Sequence, residues 1–440
     1  MLMNFDKRFL LLIFPLLRNA WPWLQYQGRE VIPFAMLALF IVSFFGERQP
    51  QVSDRVRVAF WWMLFCYFLF AFSNSIFALI SYGEFLKYHE YATMISTIGY
   101  LYVFYLGIIH KKYTELKILL VIVLIGTLLA GYSAGSAGEM TSRQLLLNSV
   151  SREDSNSMYN AYDAAMSGLG GYGFIYANAA SAGLVLLIAM SRSLKKGFRV
   201  LFGIAFIAML IIVKKGGLGT ATAVAWLSTV LALLTLIGRS VRTLKIVGAL
   251  ACVLFLVYAF TPKMLSPLSG PLMWIAESMD SGAIQDRFVS AAQSVSGDEY
   301  SYAYERAQLF VRSTRVFLDN PFIGVGAYQE GHVSGDKLGG HSVIMDMLAQ
   351  QGMIGLILII MFFMSAFKFF REISLFCNHP NWNALPSIYL LCLLYMMFSN
   401  QAAKSISGLF LIIVFGYLSM LMQTNPNHSN RFCKYERWRI

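Results

Sequence analysis

The feature that most constrains this chain is the recurrence of apolar runs of membrane-spanning length from one end to the other. Uncharged stretches such as ILLVIVLIGTLLA (Ile118–Ala130) and MIGLILIIMFF (Met353–Phe363) sit inside longer apolar segments. A hydrocarbon layer is matched by about 20 such residues in a helix. Within that layer the backbone must satisfy its own polar groups, which leaves helices as the expected form. Composition agrees, with 57% hydrophobic and 13% charged residues, against about 25% charged in ordinary soluble domains. The expected class is an all-α polytopic membrane protein.

The runs fall at 9–26, 31–46, 58–80, 91–110, 114–132, 168–190, 200–213, 218–237, 246–261, 342–366, 385–400 and 405–423, which predicts twelve transmembrane helices. The first follows Lys7 and Arg8 without a convincing small-residue cleavage site, and is read as a retained helix. The expected organisation is a bundle of nine spans over 1–261 and a large outer loop over 262–341. Spans ten to twelve then occupy 342–423, before a basic tail over 424–440.

Sidedness follows from the basic residues. With the N-terminus inside, the inner connections hold Arg48, Arg55, Arg57, Lys111, Lys112, Arg192, Lys195, Lys196, Arg199, Arg239, Arg242, Lys245, Lys368 and Arg371. That repeated bias is the positive-inside pattern, and it puts 133–167, 262–341 and the start of the tenth span outside. The net charge of +12 therefore sets orientation, and no nucleic-acid partner is expected. The five cysteines show no metal or redox spacing and are read as fillers.

Lys214 and Lys215 break the pattern by falling at an outer helix end. They either snorkel to head groups, lie inside through a different span count, or hold an anionic ligand at the outer mouth. Gly216 and Gly217, which follow them, would allow a close backbone approach. In the outer loop, Glu305–Asp319 interleaves apolar residues with Arg306, Arg312 and Arg315. It reads as an amphipathic helix lying on or dipping into the membrane surface. Asn320-Pro321 ends it, and Gly324 and Gly326 suit a close-packed turn. The arginines are either lipid contacts or planar partners for phosphate oxygens, and their spacing does not put all three on one face. Neither a phosphate-binding glycine loop, an HExxH zinc motif, a serine-hydrolase elbow nor a DxD pair is expected, so no metal and no cofactor is assigned.

The block Arg315–Gly326 (RVFLDNPFIGVG), followed by His341–Gly355 (HSVIMDMLAQQGMIG), resembles the O-antigen ligase and polymerase superfamily. That family shows N-P-x-x-G-x-G and then H-N-x-x-x-E/D before glycines at a helix start. Ten residues separate Arg315 from Gly326 and His341 from Gly352, a spacing similar to that of the family's polymerases. The resemblance implies a site facing the periplasm in a bacterial inner membrane. It also implies metal-independent, inverting transfer of glycans from undecaprenyl pyrophosphate. On that basis His341 matches an essential histidine, and Arg306 or Arg315 an essential arginine. Lys214-Lys215-Gly216 stands where the family has Ser-Arg-Gly, and Ser342 where it has asparagine. Lys214, Lys215, Arg312, Ser342, Gly324 and Gly326 are expected to contact substrate, with membrane lipids and a chain-length regulator as further partners.

A lone histidine at a helix start is often a cap or an interface residue. At an outward helix N-terminus the free amides and dipole favour the neutral imidazole, which can take a proton from a sugar hydroxyl. The readings carried forward are a polymerase, which extends a lipid-linked chain, and a ligase, which delivers the glycan to lipid A-core. A transporter would call for an internal repeat or paired broken helices, and no convincing repeat is found between the halves.

Overall fold

In a computed structural model of the chain, the described residues are 7–24, 31–46, 54–82, 88–136, 169–236, 267, 269–278, 285, 288–289, 292–293, 302–325, 342–376 and 413–420. Among them every regular element is helical and there is no strand. The elements are α1 (Lys7–Ala20), a 3-10 turn (Pro22–Leu24), α2 (Val31–Gly46), α3 (Asp54–Tyr82), α4 (Tyr88–Ile109) and α5 (Tyr113–Ser136). They continue as α6 (Tyr172–Ala189), α7 (Lys196–Gly216), α8 (Gly219–Leu236), α9 (Ser269–Glu277), α10 (Tyr302–Asp319) and α11 (Val343–Phe376). A last run, α12, covers 413–420.

The apolar runs and the helices largely coincide. The second run and α2 share both ends, and the short run 200–213 belongs to a 21-residue helix because its flanking lysines are helical too. The tenth run extends to Phe376 and contains a break at Gly352, which its apolar pattern does not reveal. The runs 246–261 and 385–400, the tail 424–440 and much of the two long polar stretches 133–167 and 262–341 lie outside the described residues.

Among the described residues, three helices, at Tyr113–Ser136, Lys196–Gly216 and Ile344–Ile373, are long and apolar enough to cross a membrane, and four shorter apolar helices accompany them. Their exposed sides are also apolar. On α7 Ile204, Ile207 and Ile211 face outward, and on α11 Ile354, Ile357, Ile360 and Met364 do so. Rows of exposed isoleucine and methionine that recur down a helix suit a lipid boundary and not water.

The interior is held by close approach of small residues and by short-range backbone bonding, as expected where lipid removes any hydrophobic preference for helix against helix. On α6, Gly183 lies so near α8 that a Cβ there would fall onto the Ser228 and Thr229 backbone. The Ser228 hydroxyl fills that contact, accepting from the Gly183 amide at 3.2 Å and lying 3.0 Å from the Ala179 carbonyl. α3 packs along α11, with Phe60 against Phe369 at one end and Ser73 bonded to Gln351 towards the other. Lys117 lies over the Phe198 ring, Arg199 donates to the Ala189 carbonyl, and Tyr417 reaches Ser191. Each of these pairs joins helix ends that the basic-residue pattern puts on one side.

Gly183→Ala should lower the melting temperature of detergent-purified protein, with overpacking costing about 1–3 kcal/mol. Gly203→Ala is the matched comparison, since nothing lies within 4 Å of a Cβ there. It should leave the melt unchanged or raise it, and equal losses at both positions would contradict the packing described.

Candidate functional site

The site is built on a discontinuity in α11. Gly352 has φ 60° and ψ −153° inside that helix, a region essentially restricted to glycine. The turn after α10 fills the gap this opens. The Met353 amide, which an unbroken helix would direct at the Ala349 carbonyl, donates instead to the Pro321 carbonyl at 2.8 Å. Ala349 in turn accepts from the Val325 amide at 2.9 Å, and the Ile354 amide reaches the Phe322 carbonyl at 3.4 Å. Backbone thus replaces backbone across the break.

Both glycines at this contact are needed for space as well as conformation. Gly324 has φ 73°, and a Cβ on it would meet the Gln350–Gln351 backbone. A Cβ on Gly352 would meet Phe322 and Ile323. Gly355 leaves room for the Gln351 side chain, which folds back over it. Gln351 is fully buried, and its Oε1 lies 3.2 Å from the Ser73 hydroxyl of α3.

Above the break, Asp346 ties α10 to the start of α11. Its carboxylate is buried and accepts from the Ser313 hydroxyl at 2.7 Å and from the Ser342 amide at 3.3 Å. The Ser342 hydroxyl accepts from the Met345 amide at 3.3 Å, which is the bonding of an N-cap. Ser342, expected to touch substrate, is 1% exposed and occupied as this cap. The residue that follows His341 is therefore fixed in place by the same carboxylate that holds α10.

These contacts set the direction of α10. Ser313 pairs with Asp346 and Pro321 with Met353, so α10 descends alongside α11 and in the same sense. Gln308, Arg312, Arg315 and Asp319 recur at steps of three and four and form one exposed stripe. Arg306 stands seven residues before Ser313, two turns earlier and at the same angular position on α10. The helix period thus puts Arg306 and Arg315 at different angles on α10. The Arg306 side chain, His341 and Gly326 lie outside the described residues.

Lys214 and Lys215 end α7, where Gly217 (φ 66°) forms a left-handed cap whose amide donates to the Lys214 carbonyl at 3.2 Å. Lys214 is exposed and Lys215 half-buried. Cations in a last helical turn are favourable to the dipole in their own right. Gly216 packs on Ile175 of α6. The two glycines read as room for a ligand are thus used for packing and for a cap.

Sequence reasoning missed the Ser313–Asp346 and Ser73–Gln351 pairs, although Asp346 lies at the acidic position of the quoted motif. It also missed that Gly131-Tyr132-Ser133-Ala134-Gly135 has the G-x-S-x-G form. That stretch is the last part of α5, so the strand-to-helix turn a hydrolase nucleophile requires is not there. No protein-family model matches the chain, and no curated protein matches it.

Gly324→Ala and Gly352→Ala should each destabilise the purified protein by about 1–3 kcal/mol, measured by thermal melting. The double variant should lose less than the sum, because both act on one contact. Ser342→Ala should cost about 1 kcal/mol, with Ser342→Asp recovering most of it as an alternative cap.

Proposed function

We propose that this chain is a glycosyltransferase that polymerises undecaprenyl-pyrophosphate-linked oligosaccharide repeat units at the outer face of a bacterial inner membrane. The reading rests on one observation. The two segments that carry the family resemblance, 315–326 and 341–355, are joined by backbone hydrogen bonds at Pro321–Val325 and Ala349–Ile354. In this reading the chain has twelve spans, with 262–341 and the start of α11 in the periplasm, as the basic connections direct.

The chemistry is displacement at the anomeric carbon of the donor's first sugar. A hydroxyl of the acceptor's terminal sugar forms the new bond, and His341 takes its proton. The bond from that carbon to the pyrophosphate oxygen breaks, and undecaprenyl pyrophosphate leaves with the electron pair. Cations stabilise the charge that grows on it, and losing one such contact costs on the order of 3 kcal/mol. Arg306 is assigned that role because the helix period returns it to the face of α10 that carries Ser313, two turns earlier. Arg312 and Arg315, on the exposed stripe, are assigned to the membrane head groups or to the approach of the donor. Lys214 and Lys215 are further cations on the outer side.

Purified protein supplied with undecaprenyl-pyrophosphate-linked repeat units and no divalent metal should produce a ladder of lengthened lipid-linked glycans on a gel. His341→Ala should reduce its rate by about 10²–10⁴-fold, and Arg306→Lys should be far more damaging than Arg315→Lys, since lysine keeps the charge and loses the planar fork. A full ladder from His341→Ala removes the base. A product that forms only with lipid A-core as acceptor makes the protein a ligase. A ladder abolished by EDTA and restored by magnesium means a metal-dependent reaction.

A further inference from the structure

The α10 turn meets α11 well beyond the start of that helix. Its carbonyls meet α11 at Met353 and Ile354, ten residues beyond the start of that helix. Met353 is fifteen residues from Lys368, the first charge towards the opposite end of α11. At 1.5 Å per residue that is about 22 Å, while the hydrocarbon core is about 30 Å thick. If Lys368 marks the inner boundary, the turn sits about 8 Å below the outer one. Tilting α11 would shorten its vertical rise and place the turn deeper still.

We infer that residues 318–323 form a re-entrant tip, inserted into the outer half of the hydrocarbon layer and bounded there by lipid acyl chains. Two observations independent of depth carry this. First, one side of the tip exposes large apolar side chains, Phe322 at 75%, Leu318 at 67% and Ile323 at 50%, while Asp319 and Asn320 are exposed on its other side. The apolar side chains continue the exposed row of Ile354, Ile357 and Ile360 on α11, one of the three helices able to cross a membrane. Second, the tip carries few polar backbone groups to lipid. Pro321 has no amide, its carbonyl and that of Phe322 accept from α11, the Val325 amide donates to α11, and the Gly324 amide donates to Asn320. Irregular backbone at membrane depth is tolerated when it is satisfied in this way by protein.

Charge placement fits the same depth. Arg312 and Arg315 lie six to nine residues before Pro321, about 9–14 Å further out, which is the level of the lipid phosphates. Arginine stems there lie along apolar surface with their heads in the interface. Asp319 and Asn320 continue the exposed polar side of α10. In this placement the helix has lipid on its Leu318–Phe322 side and its exposed polar stripe on the other.

The test is a depth measurement on the full chain in bilayer nanodiscs. Cys66, Cys252, Cys377, Cys392 and Cys433 are replaced by serine, and nitroxide labels are placed one at a time through Phe322→Cys, Ile323→Cys, Arg312→Cys and Ile360→Cys. Power saturation with oxygen and with a water-soluble nickel chelate then reads depth. The expected result is strong oxygen and weak nickel accessibility at 322 and 323, as at 360, with 312 at the head-group crossover. Nickel accessibility at 322 and 323 equal to that at 312, with 360 still in lipid, overturns the insertion. An aqueous reading at 360 overturns it as well, through α11 itself. If the cysteine-free chain does not assemble, Phe322→Trp in the native chain is compared with the parent protein. Fluorescence added by the new tryptophan that is quenched by acyl-brominated lipid supports the inference, and quenching by aqueous acrylamide instead overturns it. None of these outcomes depends on whether the chain transfers glycans.

Discussion

A backbone break inside an apolar helix must be repaired from outside that helix, and this constraint organises the region where α10 meets α11. At Gly352 the helical ladder of α11 stops, which frees an amide at Met353 and a carbonyl at Ala349. In apolar surroundings each unsatisfied group would cost several kcal/mol. Water is not the repair used. Pro321 supplies the carbonyl and Val325 the amide, so the turn takes the place of one missing helical bond. The turn is thereby fixed in register with α11, and α10, which leads into it, is fixed with it.

From that register the rest of the site follows. With Pro321 held at Met353, Ser313 reaches Asp346, and Asp346 closes on the amide of Ser342. A buried carboxylate is favourable only when its oxygens are bonded, so Asp346 holds two elements to one point. The glycines belong to the same geometry. Gly324 and Gly352 allow two backbones to touch, and Gly355 gives Gln351 the space to turn towards Ser73 of α3. One contact thus links the arginine helix, the helix that begins beside His341, and the bundle.

The sequence reveals the helices better than it reveals their joints. Uncharged runs mark where helices lie, and α2 has the same limits in both descriptions, because a bilayer demands length and hydrophobicity that a sequence displays openly. The amphipathic helix after residue 302 was legible for a similar reason, and Asn320-Pro321 ends it as expected. What remained hidden is long-range. Ser313 and Asp346 are 33 residues apart, Ser73 and Gln351 are 278 apart, and no local periodicity records either pairing. The break at Gly352 was hidden because a glycine in an apolar run reads the same whether it is helical or kinked. Gly216 and Gly217 show the reverse error, in which residues used for packing and capping invite a ligand reading.

The division of labour among the arginines shows how much a single register decides. On sequence spacing, Arg306 and Arg315 are equivalent candidates for holding an anion. Once Ser313 is known to face Asp346, the helix period places Arg306 at the angle of Ser313 and Arg312 with Arg315 on the exposed stripe. If α10 enters the membrane beside α11, as inferred above, it grades its own surroundings. Its upper turns meet the aqueous face, its middle turns carry cations to head-group level, and its tip presents leucine, phenylalanine and isoleucine. An anionic lipid needs that same order of environments, head outward and tail inward. A polar donor carried on a prenyl chain would thus meet the arginines with its pyrophosphate while its tail stayed in the bilayer, without leaving the membrane to react.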